Sequence, residues 1–264
     1  MTTVSANARP AQKFSLHKSF NWAACGDMFE LRESLAWHDP DIDCTLVVST
    51  PRTDRLLWAE YATGALRNYR RHGVERALDT EALRSGADTV MFFAVVDNAG
   101  RTVAGLRAIG PLRSAEDSHA LFEWSGQASQ PLVRNMINDR VRFGILEMKS
   151  AWVTDDPDRS HHITDAMARS AFHMMALLGN QFCMATAAAY ALNRWRSSGG
   201  IVAPIPATPY PSERYQTKMM WWDRQDFVNH AKPEQVSKIL TETQLLSQQF
   251  DQLSESGSPV YQAR

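Results

Sequence analysis

The chain has 264 residues, of which 44% are hydrophobic and 22% charged, and this balance suits one large globular domain or one domain with appendages. The formal net charge of −1 excludes a general electrostatic attraction to nucleic acid or to an anionic membrane. No run approaches the ~20 apolar residues of a membrane span, and the polar first residues lack the apolar run of a secretory signal.

The cysteines indicate the redox setting. Cys25, Cys44 and Cys183 lie far apart, are odd in number and form no Cys-x-x-Cys pair. A zinc site or a framework of disulfides is therefore not expected, and a reduced, cytoplasmic location is predicted.

The beginning of the chain differs in composition from the rest. Residues 1–15 are small and polar and are predicted to form a disordered N-terminal tail. Residues 16–43 are predicted to be an N-terminal extension, in which scattered apolar residues predict a helix around 26–37.

From residue 44 onward, strand and helix patterns alternate. The β-branched run CTLVVST at 44–50 predicts a strand, and Thr53 or Asp54 can cap a helix that reaches about His72. The later predictions, in chain order, are strands at 90–97 and 102–110 joined by a tight turn, loops and helix at 111–142, a strand at 142–154, a helix at 160–178, a strand at 181–187, a helix at 188–198, a proline-rich loop, a strand at 215–223 and an amphipathic helix at 233–253. This order predicts a mixed α/β fold without internal repeats.

Three segments resemble those of GNAT-fold N-acyltransferases, most closely the acyl-homoserine-lactone (autoinducer) synthases and the N-acyl amino acid synthases. They are GLRAIGPL at 105–112, RFGILEMKSAWV at 142–153, and the stretch at 192–222 with its glycine turn and proline-containing loop. The resemblance implies a GNAT-like acyl-CoA N-acyltransferase fold over 44–230, with helices flanking a central sheet that splays open between its fourth and fifth strands. A C-terminal helix and tail would follow at 231–264.

The resemblance also implies an enzyme, an N-acyltransferase that moves an acyl group from acyl-CoA or acyl-carrier protein to the amine of a small molecule such as an amino acid. The sequence departs from the family at Ser150, where arginine is usual, and at 155–166, which lacks the glycines of the usual phosphate loop. The stretch without glycines favours an acyl-carrier or long-chain acyl donor over acetyl-CoA. Both departures, together with Trp195, support the alternative of a catalytically inactive GNAT-like binding or regulatory protein. Acetylation of a protein or antibiotic amine is a further alternative within the fold, and the C-terminal helix could cover the domain or pair with a partner, as in a homo-oligomer.

Two charged residues on predicted strands are candidates for the reaction. Amide formation needs a group that takes a proton from the amine, and Glu147 can do so from a strand whose alternation places Met148 and Trp152 on the opposite face. Arg107 can hold a substrate carboxylate with two hydrogen bonds. If both roles hold, the two side chains face one cleft. The alternative for Glu147 is a place at a sheet edge or a structural pair with Arg107, and the alternative for Arg107 is a structural salt bridge.

The thioester donor is predicted to bind where the strand at 142–153 meets the helix at 160–178, because a helix N-terminus offers free N–H groups to phosphate. The neighbouring histidine pair has no carboxylate or cysteine at metal-ligand spacing, so no metal is predicted. The candidate donor-binding residues are Val153, Arg159, Ser160 and Thr164.

The departing thiolate needs a proton, which many acetyltransferases supply from a tyrosine four residues before a glycine. Trp195 holds that position relative to Gly199, and an indole cannot act as this acid. Tyr190, about one turn earlier, is therefore the candidate acid, and a packed aromatic side chain is the alternative. The methionines and tryptophans late in the chain predict core, with an acyl-chain pocket as the alternative.

Overall fold

The computed structural model describes residues 31–154 and 157–256, with side chains for 31–154 and 160–254. The predicted tail at 1–15, residues 16–30 of the extension and residues 257–264 lie outside the described residues. The described strands are β1 (Leu35–Asp39), β2 (Cys44–Ser49), β3 (Thr89–Asp97), β4 (Thr102–Ile109), β5 (Ile145–Val153), β6 (Phe182–Ala188), β7 (Ile201–Val202), β8 (Thr208–Pro209) and β9 (Gln216–Asp223). The helices are α1 (Arg55–Arg71), α2 (Thr80–Ser85), α3 (His119–Glu123), α4 (Gln130–Val141), α5 (Pro157–Leu177), α6 (Leu192–Trp195) and α7 (Pro233–Ser256).

The strands form one nine-stranded sheet in the order β1-β2-β3-β4-β5-β6-β9-β7, with β8 paired to β9. Every neighbouring pair is antiparallel except β5 and β6, which are parallel and are joined by α5. The predicted fold class, a mixed sheet flanked by helices, is confirmed.

The helix predicted around 26–37 is wrong over its described part, because residues 35–39 form β1. Its buried residues Leu35, Trp37 and Asp39 alternate with exposed neighbours, which is the two-residue period of a strand. β1 pairs with β2 as a hairpin and gives the sheet an edge strand.

Capping side chains explain two helix boundaries. Asp54 accepts a hydrogen bond from the Leu57 N–H at 2.9 Å, so the predicted N-terminus of α1 is confirmed. Residues 74–88, predicted to be irregular, contain α2 because Asp79 caps it in the same way. The helix predicted at 188–198 is instead a series of short turns around α6.

Alternate residues of β3 separate the two faces of the sheet. Met91, Phe93 and Val95 pack with α5, whereas Phe92 and Ala94 pack with α1. Helices α5 and α7 therefore cover one face, called the α5 face below, and α1 covers the other, called the α1 face. Helices α3 and α4 extend the cover of the α1 face over β5, β6 and β9.

A β-bulge interrupts β5. The β4–β5 register shifts between Gly105 and Arg107, and Ser150 has a left-handed φ of 54°. The bulge changes the alternation, so Met148 packs on the α5 face and Trp152 packs on the α1 face. The prediction that these two side chains share a face is therefore wrong.

No helix in the part of the chain that the structure describes is both long and apolar enough to cross a membrane.

A glycine allows α1 to approach the bulged end of β5. A Cβ added at Gly64 would lie 2.1 Å from a ring carbon of the buried Trp152. We expect Gly64→Ala to lower the free energy of unfolding by about 1–3 kcal/mol, because the gain in helix propensity is smaller than the cost of overpacking. Urea denaturation measures the change, with the exposed Arg67→Ala on the same helix as control. Equal stability of Gly64→Ala and the wild type would contradict this packing.

Candidate active site

The parallel strands β5 and β6 separate part-way along their length. Their last paired residues are Met148 and Ala185, although β5 continues to Val153 and β6 to Ala188. Beyond that point the two strands do not pair with each other. A cleft opens between them. Counted from the strand predicted at 44–50, β5 and β6 are the fourth and fifth strands, so this is where the resemblance predicts a splayed sheet.

The cleft passes through the sheet and has a volume of about 280 Å³. Asn68 and Tyr69 of α1 line it from one face, and Met167, Ala168 and Ala171 of α5 line it from the other. Its size is near the lower end of the range for small-molecule pockets, and its walls are largely apolar.

A buried ion pair forms the polar part of the cleft wall. The Lys149 ammonium on β5 donates to Glu123 Oε1 at the end of α3 over 2.7 Å, and only 10% and 2% of the two side chains are exposed. Thr186 of β6 also donates to Glu123 Oε1, at 2.9 Å. The Nδ1 atom of His119 lies 3.0 Å from both Lys149 Nζ and Glu123 Oε1.

Glu147 lies beneath this pair and does not line the cleft. Its carboxylate is fully buried and accepts hydrogen bonds from the backbone N–H groups of His119 at 2.9 Å and Ala120 at 3.2 Å. These are the first residues of α3, so Glu147 caps the helix that carries Glu123.

Arg107 is also buried and does not line the cleft. Its guanidinium donates to Asp88, to Thr89 Oγ1 at 3.0 Å and to Ser150 Oγ at 3.3 Å. Arg107 pairs with Lys149 across β4 and β5, and Glu147 lies two residues before Lys149 on β5, so Arg107 and Glu147 share the α1 face of the sheet. Instead of facing a common cleft, they hold the bulge and α3.

The predicted donor residues cluster at the end of β5 and the start of α5. The Val153 carbonyl accepts a hydrogen bond from the Asn68 side chain at 3.0 Å. Thr164 is buried, and its hydroxyl donates to the Ser160 carbonyl at 2.7 Å, so this hydroxyl is used within the helix. The side chain of Arg159 lies outside the described side chains.

Tyr190 lies on the rim of the cleft, on the turn at 189–191. Its side chain is 81% exposed, so it is not a packed aromatic of the core. Trp195 also lines the cleft.

Glu123, Lys149 and Tyr210 are cleft residues that the sequence analysis missed. One signal was available for Lys149, because it follows Glu147 by two residues on a strand and must share its face. The signal for Glu123 was its i, i+4 spacing from His119 on a helix.

Comparison with known proteins shows close relatives in mycobacteria. No family model matches the chain. The uncharacterized proteins Rv1356c of Mycobacterium tuberculosis and Mb1391c of Mycobacterium bovis are each 53% identical to it over 223 residues, which is 84% of this chain and 85% of theirs. The chain belongs to the family of these mycobacterial proteins.

Solved structures with a similar arrangement have much lower sequence identity to this chain. FeeM, an N-acyl amino acid synthase from uncultured soil microbes, is 9% identical, with 71% of this chain and 96% of FeeM covered and a TM-score of 0.48. BjaI, a CoA-dependent acyl-homoserine lactone synthase, is 15% identical, with 74% and 87% covered and a TM-score of 0.47. A GNAT superfamily phosphinothricin acetyltransferase from Sinorhizobium meliloti is 14% identical, with 69% and 88% covered and a TM-score of 0.46. All three TM-scores are below 0.5, so a function has to come from the geometry of this chain.

The pKa values in the cleft keep the ion pair charged. Burial by itself would raise the pKa of Glu123, but the Lys149 charge and the contacts with His119 and Lys149 lower it to about 2. Burial lowers the pKa of Lys149, but the charges of Glu123 and Glu147 raise it to about 12. Burial raises the pKa of Tyr69 to about 12 and also raises that of Tyr210. Both phenols are therefore neutral near pH 7.

These shifts define a pH range for stability. The pKa of Glu123 is lower in the folded state than its ordinary value of 4.5. Its contribution to the free energy of unfolding is therefore present above pH 4.5 and is lost as the pH falls towards 2. The pKa of Lys149 is raised from 10.5, so its contribution is present below pH 10.5 and is lost as the pH rises towards 12.

We expect Glu123→Gln to lower the stability at pH 7, because Lys149 loses its main partner. The stability difference from the wild type should shrink by about 1.4 kcal/mol per pH unit between pH 4.5 and 2. Urea denaturation at a series of pH values measures it, and the exposed Glu81→Gln is the control. A difference that stays constant over this range would contradict the lowered pKa.

Proposed function

We propose that the protein is an N-acyltransferase that moves an acyl group from the thioester of acyl-CoA or acyl-carrier protein to the amine of a small molecule. The observation that carries the proposal is the cleft where the parallel strands β5 and β6 separate after Met148 and Ala185. The resemblance of the sequence to GNAT-type synthases agrees with this position.

The separated strands suit a thioester donor. The pantetheine arm of such a donor is extended and contains amides, so it can add to a free strand edge as a peptide strand does. Within the described parts of the chain, residues 149–153 of β5 have no strand partner on the side of β6. The N-terminus of α5 follows β5 and can receive the phosphates of the donor, near Ser160.

In the proposed reaction, the amine nitrogen attacks the thioester carbonyl, the C–N bond forms and the C–S bond breaks. The amine attacks in its neutral form and gives up a proton to solvent at the mouth of the cleft, and the departing thiolate takes one. Tyr190, on the rim, is the proposed donor of the thiolate proton. Glu147 and Arg107 contribute by position, because one caps α3 and the other holds the bulge at Ser150.

The cleft wall favours a longer acyl chain over an acetyl group. Met167, Ala168 and Ala171 of α5 present an apolar surface, and Trp195 and Trp222 extend it. Burial of methylene groups against such a surface contributes about 0.8 kcal/mol each, so affinity should rise with chain length until the wall is covered.

The alternative is a binding or regulatory protein without catalysis. It is favoured by the internal use of Arg107 and Glu147, since neither side chain reaches the cleft. An inactive protein of this kind would bind a thioester without turning it over.

Thiol release from acyl-CoA donors of C2 to C16, with and without pooled primary amines, separates the two functions. We expect amine-dependent release that is greater with the longer donors. Ala187→Phe should abolish donor binding and release, because Ala187 lines the cleft beyond the separation of the strands. The same substitution at the exposed Ala99, on the β3–β4 turn, should have no effect. Donor binding without release in any combination would favour the inactive protein.

A further inference from the structure

Two polar atoms in the cleft have no hydrogen-bond partner among the residues that the structure describes. Glu123 Oε2 is buried and forms no hydrogen bond with any residue that the structure describes, although Oε1 of the same carboxylate accepts from Lys149 and Thr186. The hydroxyl of Tyr210 is likewise buried and has no partner within the described residues. Both residues line the cleft.

A buried carboxylate oxygen without a donor costs about 1–3 kcal/mol or more, so such an atom indicates a group that arrives with a ligand. The Tyr210 oxygen can also accept a hydrogen bond from the same group. The Tyr210 ring lies 6.0 Å from the His119 ring, and His119 Nδ1 lies 3.0 Å from Glu123 Oε1, so the two groups share one local environment.

The charges around Glu123 select the kind of ligand. Glu123 and Glu147 carry two negative charges, and Lys149 carries one positive charge that contacts both carboxylates. The three side chains together therefore carry a net charge of −1. Both oxygens of Glu147 accept from backbone N–H groups of α3, so Glu123 Oε2 is the carboxylate oxygen that no donor of the described residues engages. A cationic ligand balances this negative charge, whereas a neutral ligand leaves it uncompensated.

We propose that Glu123 Oε2 and Tyr210 Oη bind the ammonium group of the acceptor amine. This inference rests on the proposed acyl transfer. Lys149 is the one lysine or arginine among the described residues that line the cleft, and Glu123 already engages it. The acceptor class is therefore a primary amine on an apolar body, without the neighbouring carboxylate of an amino acid.

Calorimetric titration with three compounds tests the inference. The probes are 2-phenylethylammonium, its neutral isostere 2-phenylethanol and the zwitterion L-phenylalanine. We expect the ammonium ion to bind at least about ten-fold more tightly than either other probe. Equal binding of the alcohol, tighter binding of L-phenylalanine, or no binding of the ammonium ion would overturn the inference.

Substitutions at Tyr210 and Glu123 test whether these side chains bind the ammonium group. Tyr210→Phe removes only an unpartnered hydroxyl, so we expect it to fold like the wild type and to bind the ammonium ion about three- to ten-fold more weakly. Glu123→Gln should weaken binding further, by about ten-fold or more. The control Tyr215→Phe removes a phenol that donates to the His72 carbonyl at the cleft mouth, and it should bind normally. Binding of the ammonium ion by Tyr210→Phe at the wild-type affinity would contradict the assignment of Tyr210 Oη to this site.

Parallel assays separate this inference from the proposed function. If the ammonium ion is selected but no acyl-CoA is turned over, the acyltransferase fails and the cation site stands. If acyl-CoA is turned over while the ammonium ion and the alcohol bind equally, the acyltransferase stands and the cation site fails.

Discussion

The separation of β5 from β6 is the constraint on which the rest of the site depends. Parallel strands normally stay paired along their shared length, and here pairing stops at Met148. The bulge at Ser150 follows directly, and a bulge bends a strand and increases its twist. Arg107 donates to the Ser150 side chain and Tyr61 donates to its carbonyl, so buried groups on two other elements hold the left-handed conformation.

Buried charges connect this backbone feature to the contents of the cleft. Glu147 is expensive to bury, and the N–H groups at the start of α3 compensate it. This contact places Glu123 at the cleft, where Lys149 donates a hydrogen bond to Glu123 Oε1. A helix of only five residues is thereby positioned by a strand carboxylate, since so short a helix has little stability of its own.

A second buried network joins β1 and α7 to α5. Arg169 of α5 contacts Asp39 of β1 and Glu242 of α7, and His173 also contacts Glu242. Contacts with His173 and Arg169 outweigh burial and lower the pKa of Glu242 to about 2. The α5 face therefore combines an apolar core with one buried charged network that connects β1, α5 and α7.

The sequence by itself determined most elements, because hydrophobic period, turn residues and caps are local signals. The strand at 90–97, the cap at Asp54 and the order of elements needed no distant contact. The cleft needed the tertiary structure. A bulge moves Trp152 to the other face, and a distant ion pair brings Glu123 to Lys149. Only the folded chain decides such contacts, because their stabilisation comes from partners far away in sequence and from exclusion of water.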